Sequence, residues 1–260
     1  MNKPIEVTLL SRRHTAKAGT RFHQRGIDEG GNVANFVETE LIVRYNNGET
    51  VFSHVQVRGS VPLFWSQKAK KSTKVSFKDN RAKNKMAFNK HFDELIGRYG
   101  RVFVLNLLSQ ADKPDEARLG NAMFDLLQER QDEKLQSHSY DFHAKVTGGN
   151  FEDILRLMSE LQGEIMSARY RFFIHGSVNN RTYRQGGVVR TNCLDCLDRT
   201  NFVQAHISYQ ILAHILSFLV DAHRKNDPHA PTLWDARGEK SEIEQALQRM
   251  WNENGDKLSN

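Results

Sequence analysis

One short segment of the sequence brings together residues that can transfer a phosphoryl group. Residues 190–201 read RTNCLDCLDRTN, and five residues separate Cys193 from Arg199. A loop of that length lets backbone N–H groups surround a tetrahedral oxyanion. The same N–H groups, with the positive end of a following helix, are expected to lower the pKa of the Cys193 thiol below its usual ~8.5. The segment therefore predicts a thiolate nucleophile at neutral pH.

The neighbours of Cys193 offer the other groups that such a reaction needs. Arg199 can bind two phosphoryl oxygens with its planar guanidinium, a geometry that Lys does not reproduce. Attack of the thiolate on phosphorus gives a phosphocysteine, which water then hydrolyses. A carboxylic acid has to protonate the leaving alkoxide and later activate the water, and Asp195 is the nearest candidate. Asp198 and an acid or histidine elsewhere stay open as alternatives, and Thr200 is expected to donate its hydroxyl to the sulfur.

Other interpretations of the segment compete with this one. A Cys followed six positions later by Arg often arises by chance, so the spacing alone is weak evidence. Cys193 and Cys196 could form a redox couple or half of a zinc site, but the sequence has no second cysteine pair, and acidic residues stand between and after the two cysteines. Asp198 could cap the following helix, a more common role for Asp than catalysis.

The elements that would position this segment begin with strands. Residues 35–45 and 51–57 are rich in β-branched residues and flank an Asn-Asn-Gly turn, which predicts a hairpin. A short strand is expected at 61–65, where Phe64 and Trp65 are predicted to lie in the core. Residues 66–85 then hold eight Lys or Arg and one acidic residue, which predicts a basic surface loop.

The rest of the chain alternates between helices and strands. Helical spacing of apolar residues predicts helices at 86–99 and at about 115–135, 151–168, 202–224 and 240–252. Apolar runs predict a buried strand at 101–108 and short strands at 171–175 and 187–190. The predicted fold class is α/β, a mixed β-sheet flanked by helices, with the Cys-x5-Arg phosphate-binding loop between a strand and a long helix.

Composition and charge limit the classes of function. The chain has 260 residues, 38% hydrophobic and 26% charged, which excludes a collagen, a coiled coil and a wholly disordered chain. The net charge is +6, and residues 1–102 alone hold 19 Lys or Arg against 9 Asp or Glu. A polyanionic partner is therefore expected, and phosphate esters, an anionic membrane and nucleic acid all qualify.

Targeting signals and cysteine usage predict the compartment. The first residues lack the apolar run of a signal peptide, and two cysteines so close in sequence cannot staple a domain of this size. The most apolar stretch, 202–220, is interrupted by Gln and His residues, which disfavours a membrane span. A reducing, cytosolic setting with peripheral membrane contact is predicted.

The string at 190–201 resembles the signature of the Sac family of phosphoinositide phosphatases, which is far more specific than the Cys-Arg spacing. Two further segments are similar to the first and second blocks of the Sac catalytic domain: 18–40, with AGTRF, RGID and GNVANFVETE, and 57–65, VRGSVPLFW. DFH at 141–143 and MWNENGD at 250–256 are similar as well. The resemblance runs from about residue 11 to 260 and favours the synaptojanin-like members over the membrane-anchored ones.

The resemblance implies a magnesium-independent phosphatase, with no metal and no cofactor. Its substrates would be phosphatidylinositol 3-phosphate, 4-phosphate or 3,5-bisphosphate, at the cytosolic face of endomembranes or of the plasma membrane. The whole chain, 1–260, would be a Sac catalytic core that lacks the N-terminal β-rich subdomain and the C-terminal extension usual in the family. The basic N-terminal half and the loop 66–85 would face the anionic membrane, although this loop could equally be a solvated surface strip.

Further residues are candidates for the site around the Cys-x5-Arg loop. Within the loop, the phosphate would be bound by residues between the nucleophile and the helix: Leu194, Cys196, Leu197, Asp198 and Thr200. Arg21 and Arg25 flank glycines and could converge on phosphate, or serve solubility. Supporting candidates are Asn192, Asn201, His143, Glu38 and Glu40. Glu38 and Glu40 project from one side of a strand and could pair with arginines or hold the loop, and His143 could donate a proton, orient the loop or be structural.

Three rival functions are kept beside the phosphatase. A catalytically silent phosphoinositide-binding module would keep the same loop for membrane recruitment, and a protein tyrosine phosphatase would share the nucleophile and the arginine. A nucleic-acid binder is the weakest rival, because no recognisable motif accompanies the positive charge. The sequence makes no prediction of protein partners.

Overall fold

A seven-stranded mixed sheet organises the computed structural model, which describes residues 4–17, 24–67, 75–77, 80–110, 112–146, 151–165, 167, 173–175, 184–223 and 241–259. The strands are β1 (Ile5–Arg13), β2 (Val37–Tyr45), β3 (Thr50–Arg58), β4 (Trp65–Gln67), β5 (Val75–Phe77), β6 (Val102–Asn106), β7 (Leu135–Ser139), β8 (Phe173–His175) and β9 (Val188–Asn192). The helices are α1 (Arg81–Tyr99), α2 (Pro114–Arg130), α3 (Phe142–Lys145), α4 (Phe151–Ile165), α5 (Asp198–His223) and α6 (Glu242–Ser259). This architecture confirms the predicted α/β class with a mixed sheet flanked by helices.

The sheet has the order β1-β2-β3-β9-β6-β7, with β8 pairing the first residues of β3. β1, β2 and β3 are antiparallel, whereas β3, β9, β6 and β7 are parallel neighbours. The carboxyl ends of these four parallel strands meet at one edge of the sheet, the edge at which ligands bind in open α/β folds. Arg58, Asn106 and Asn192 end three of them.

Apolar residues on the two faces of the sheet bury two separate cores. In β6, Phe103 and Leu105 join the core formed with α4, α5 and α6, while Val102 and Val104 join the core formed with α1 and α2. Successive side chains of a strand point to opposite faces, so a strand that is apolar throughout is covered on both. The parallel part of the sheet is therefore held rigidly between two helical layers.

The predicted hairpin at 35–45 and 51–57 is confirmed by the antiparallel register of β2 and β3. The strand expected at 61–65 is wrong except at its last residue. Val61 O accepts hydrogen bonds from Leu63 N at 2.8 Å and from the indole of Trp65 at 3.1 Å, which makes a turn. Trp65 is buried in the core as predicted, whereas Phe64 is only half-buried.

The prediction of a loop throughout 66–85 is also wrong in part, although residues 68–74 and 78–79 lie outside the described residues. β4 and β5 pair as a two-stranded sheet, and Val75 N donates to Asp115 of α2 at 3.0 Å. Asn80 caps α1 by accepting from Lys83 N, so the helix begins at Arg81 rather than at residue 86. The many basic residues of this segment led to the prediction of a loop, although apolar residues such as Val75 and Phe77 pack on a core and stabilise two strands.

The long helix α5 is a core helix. Within the described residues, it alone is long and apolar enough, over Asp198–Leu219, to pass a length and hydropathy test for a membrane span. Ile207, Ile211 and Ile215 are fully buried against the sheet and its neighbouring helices. This packing explains the apolar composition of the helix within the fold.

Candidate active site

The loop 193–197 leaves the carboxyl end of β9, the strand between β3 and β6, and enters α5 at Asp198. β9 is buried along its whole length. Its register places Thr191 beside Arg58 of β3, and Asn192 beside Asn106 of β6. The segment thus lies between a buried strand and a long helix, at the edge of the sheet where ligands bind in open α/β folds.

The sulfur of Cys193 accepts two hydrogen bonds, one from this loop and one from the first turn of α5. The backbone N–H of Cys196 donates to Sγ at 3.0 Å, and the hydroxyl of Thr200 donates to it at 3.1 Å. Burial raises the pKa of the Cys193 thiol, but contacts with Cys196 and Thr200 and the charge of Arg199 outweigh burial and the opposing charge of Asp195. The pKa therefore falls below its ordinary value, which favours the thiolate.

The thiol of the second cysteine, Cys196, is instead stabilised in its protonated form. Burial and the neighbouring Cys193 raise the pKa of the Cys196 thiol well above its ordinary value. Its S–H donates to the carbonyl of Cys193 at 3.4 Å. Cys196 has a left-handed backbone, with φ of 61°, an uncommon conformation for a residue with a side chain. The loop turns sharply here, with the Cys196 N–H on the sulfur.

Asp195 lies within reach of the nucleophile. Its Oδ1 accepts hydrogen bonds from Leu197 N at 3.1 Å and from the Cys193 thiol at 3.4 Å. Asn35, at the start of the hairpin and with a left-handed φ of 55°, donates its side-chain amide to the carbonyl of Asp195 at 3.4 Å. Asp198 is exposed in the first turn of α5.

Arg199 is oriented by a carboxylate that the sequence analysis missed. Its Nη1 donates to Oε2 of Glu116 at 3.0 Å and to the carbonyl of Leu107 at 3.4 Å. Among the described residues, no side chain or carbonyl accepts from its Nε or Nη2. These two nitrogens form the edge of the guanidinium that binds an oxyanion with two parallel hydrogen bonds.

Glu116 is buried at the start of α2 and accepts a further hydrogen bond from Ser109 N at 3.0 Å. Burial raises the pKa of this carboxyl, but the hydrogen bonds from Arg199 and Ser109 and the charge of Lys113 lower it further than burial raises it. Glu116 is therefore ionised beside Arg199. No local sequence pattern could mark it, because its partner is 83 positions away.

Buried polar residues behind the loop fix the ends of the parallel strands. Arg190 of β9 is fully buried and donates to His91 Nε2 at 3.1 Å, to Asn192 Oδ1 at 3.1 Å and to the carbonyl of Ser60 at 2.8 Å. Asn192 in turn donates to Asn106 Oδ1 at 2.6 Å. The predicted supporting residue Asn192 thus ties β9 to β6 directly beneath the nucleophile.

The second predicted asparagine, Asn201, connects α5 to β3 and α6. Its Oδ1 accepts from Nη2 of Arg58 at 3.1 Å, and its Nδ2 donates to the carbonyl of Trp251 at 2.9 Å. Arg58 is fully buried beside the Trp251 ring, and burial lowers the pKa of its guanidinium to about 10. A Cβ on Gly255 would lie 2.8 Å from Nδ2 of Asn201, so glycine permits the close approach of α6.

Glu38 and Glu40 lie on one side of β2, as predicted, and share one arginine of β1. Arg12 Nη1 lies 3.0 Å from Glu38 and Nη2 lies 2.8 Å from Glu40. Glu38 also pairs with Arg98 at 2.8 Å and accepts from the hydroxyl of Tyr99. These described contacts join the sheet to the end of α1 and do not join either glutamate to the Cys193 loop.

His143 lies in α3, close to Arg199. Its Nε2 is 2.6 Å from Nζ of Lys113, and Lys113 also lies 3.6 Å from Glu116. Burial and the charges of Arg199 and Lys113 lower the pKa of the imidazole. His143 is therefore a neutral acceptor at the rim of the site.

Of the two predicted arginines, Arg21 lies outside the described residues. Arg25 donates to Gln67 Oε1 and to the carbonyl of Gln24, and lies 6.0 Å from the Trp65 ring. Asn35 donates to Gln24 as well as to Asp195, so the Arg25 segment adjoins the loop through one residue. Among the described residues, no three His, Cys, Asp or Glu side chains are grouped to hold a metal ion.

Comparison with known proteins gives one consistent family. The sequence profile of the SacI homology domain matches residues 1–147. The chain is 36% identical over 261 residues to human synaptojanin-1, 34% over 254 residues to human phosphatidylinositide phosphatase SAC2, and 33% over 225 residues to phosphatidylinositol-3-phosphatase SAC1-B of Danio rerio. These alignments cover 99%, 97% and 85% of the chain but only 15%, 21% and 37% of the three relatives.

Proposed function

The chain belongs to the SacI homology family, as its signature at 190–201 predicted, and on this premise we propose that it is a cysteine-dependent phosphoinositide phosphatase. The observation that supports the proposal best is the environment of Cys193, where two donors and Arg199 favour the thiolate. The names of two relatives, a phosphatidylinositide phosphatase and a phosphatidylinositol-3-phosphatase, support the proposed class of activity.

The first step transfers the phosphoryl group to sulfur. The substrate phosphate binds against the loop N–H groups and the free Nε–Nη2 edge of Arg199, which neutralise the charge of its oxygens. The Cys193 thiolate attacks phosphorus, so the S–P bond forms as the bond from phosphorus to the ring oxygen breaks. Asp195, as the carboxylic acid, gives its proton to the leaving alkoxide.

The second step releases phosphate and restores the thiolate. Water attacks the phosphorus of the phosphocysteine, and the Asp195 carboxylate accepts a proton from that water. The S–P bond breaks, and its electron pair returns to the Cys193 sulfur. The Cys196 N–H and the Thr200 hydroxyl hold this sulfur at 3.0 and 3.1 Å, so they stabilise it as a leaving group.

The substrate class follows from charge and family together. Residues 1–102 carry an excess of ten positive charges, and a basic residue close to an anionic lipid surface contributes ~1 kcal/mol to binding. We infer that this half of the chain, including segment 66–85, faces the membrane during peripheral binding at the cytosolic side. The substrates are phosphatidylinositols phosphorylated at the 3 or 4 position or at both 3 and 5.

The proposal is tested by phosphate release from a panel of singly and doubly phosphorylated phosphatidylinositols and a phosphotyrosine peptide, with EDTA present. Wild type, Cys193→Ser and the neighbouring control Cys196→Ser are compared. Turnover of lipids that survives EDTA, vanishes in Cys193→Ser and persists in Cys196→Ser is the expected result. Lipid binding without turnover by folded wild type would leave a binding module, and turnover of the peptide alone would indicate a protein tyrosine phosphatase.

A further inference from the structure

An open cavity of about 990 Å³ lies between α4, α5 and α6, beside the phosphate loop. Its floor is one face of α5, on which Asp198, Phe202, Ala205, Tyr209 and Ala213 follow one another at helical spacing. Leu155 of α4 and Trp251 of α6 are among the residues of its walls. Leu155 is 57% exposed, so its side chain is open to an occupant of the cavity.

The length of this groove suits a hydrocarbon chain. Asp198 and Ala213 are fifteen positions apart on α5, and a rise of 1.5 Å per residue makes the floor about 22 Å long. One leaflet of a bilayer has a hydrocarbon thickness of about 15 Å, half of the whole core. An acyl chain that spans one leaflet therefore fits along the floor.

The charges of the groove exclude an anionic occupant. Its described lining contains Asp198, Glu244 and Asp256 and neither Lys nor Arg. These carboxylates would repel a phosphate, a nucleotide or an acidic peptide. Apolar atoms form most of the surface of its lining, so the groove suits an uncharged, apolar occupant.

The groove and the phosphate loop are two parts of one surface. Asp198 and Asn201 line the groove, while Arg199, between them, binds Glu116 at the phosphate loop. A ligand with a phosphorylated ring at one end and an apolar chain at the other would span both parts. We propose that the groove holds one acyl chain of a phosphoinositide whose ring phosphate lies in the Cys193 loop. This inference rests on the proposed function and assigns a binding site to its lipid tail.

The test compares two soluble forms of phosphatidylinositol 4-phosphate, with butanoyl or octanoyl chains, below the concentration at which they form micelles. Burial of the added methylenes is expected to raise kcat/KM of wild type about tenfold or more for the octanoyl form. Leu155→Glu places a charge in the groove, and Ala213→Trp fills it. Both variants should lose the preference for the octanoyl form and keep the turnover of the butanoyl form unchanged. Phe124→Glu on α2, another exposed apolar position (46%), is the matched control and should keep it.

A binding measurement separates failure of this inference from failure of the proposed function. Affinity of Cys193→Ser for the same two lipids, by calorimetry, should show the same chain-length preference even if wild type turns over neither. A preference that is equal in wild type and in both groove variants overturns the inference. Dimerisation in sedimentation that Leu155→Glu abolishes, without a chain-length effect, would show that a second copy covers the groove and would overturn it too.

Discussion

The carboxylate of Glu116 lies 3.0 Å from Nη1 of Arg199, and no acceptor in the described part of the chain engages Nε or Nη2 of this guanidinium. Both side chains are largely buried, with 4% and 13% of their surface exposed. In such surroundings an ion pair is strongly directional, because water does not compete for the donors.

Glu116→Gln should lower kcat by about tenfold or more, because a neutral amide leaves the Arg199 charge with a weaker anchor. The effect should fall on kcat more than on KM, since Arg199 still binds phosphate but in poorer alignment with the transition state. Steady-state kinetics on the best lipid substrate measure both constants. The control Glu129→Gln, on the exposed side of the same helix, should leave kcat and KM unchanged. Unchanged kcat and KM in Glu116→Gln would remove Glu116 from the mechanism.

Thr200→Val should raise the pKa of the Cys193 thiol, because the thiolate loses a hydroxyl donor at 3.1 Å. The pH dependence of alkylation by iodoacetamide reports this pKa directly. Turnover at neutral pH should fall about tenfold, in line with the loss of a hydrogen bond to a charged group. Thr200→Ser keeps the hydroxyl and should behave like wild type; equal alkylation profiles for the Val and Ser variants would contradict the assignment.

Asp195→Asn should reduce turnover by about 100-fold or more while substrate binding changes little, because the amide cannot deliver or accept the proton. Asp198→Asn, at the exposed neighbour, is the control and should retain most of the activity. Single-turnover measurements separate phosphorylation of the enzyme from its hydrolysis, and both steps should be slow. Wild-type activity in Asp195→Asn would exclude Asp195 as the proton donor.

His91 should make the free energy of unfolding fall as the solution is acidified. Burial first, and then the charge of Arg190, hold the pKa of this imidazole well below its ordinary 6.5. Below pH 6.5 the unfolded chain binds a proton that the folded chain rejects, so stability is fully present above that pH and is lost below it, by at most about 1.4 kcal/mol per pH unit. Urea titrations at pH 7.5, 6.0 and 5.0 measure the slope.

His91→Gln should flatten this slope between pH 6.5 and 5.0. Gln can accept from Arg190 and donate to the carbonyl of Gly31, as the neutral imidazole does at 3.1 and 3.0 Å, but it does not titrate. His138→Gln, in a half-exposed pair with Glu160, is the control. An identical slope in wild type and His91→Gln would mean that other groups cause the pH dependence.

The sequence correctly predicted the strands that are buried on both faces of the sheet and the site residues that are close together in the sequence. β6 and β9 have apolar runs because helices cover both faces of the sheet. The edge strands β1 and β7 were not predicted, since each has one strand neighbour and few fully buried side chains, so that neither has a strong apolar pattern. The helix expected at 115–135 ends at Arg130, where Gln131 takes a left-handed φ of 47° and β7 soon follows.

The site residues likewise fall into those that the sequence predicted and those that it did not. Cys193, Asp195, Arg199 and Thr200 lie within eight consecutive positions, so the spacing suggested a common site and the resemblance of the whole string at 190–201 made the prediction specific. Glu116 and Arg58 reach this loop only through the order of the strands, which no local periodicity encodes. Glu38 and Glu40 were correctly placed on one side of a strand, yet their described partners are Arg12, Ser53, Arg98 and Tyr99.

The groups that surround the Cys193 loop come from distant parts of the chain: Asn35 donates to it, Glu116 anchors its arginine, and Trp251 holds Asn201. Contacts of such large sequence separation form late, when the whole chain has closed. The groups that favour the thiolate lie close in sequence, from Cys196 to Thr200, whereas these distant residues hold the loop and align its arginine, so a partly folded chain lacks the assembled phosphate site.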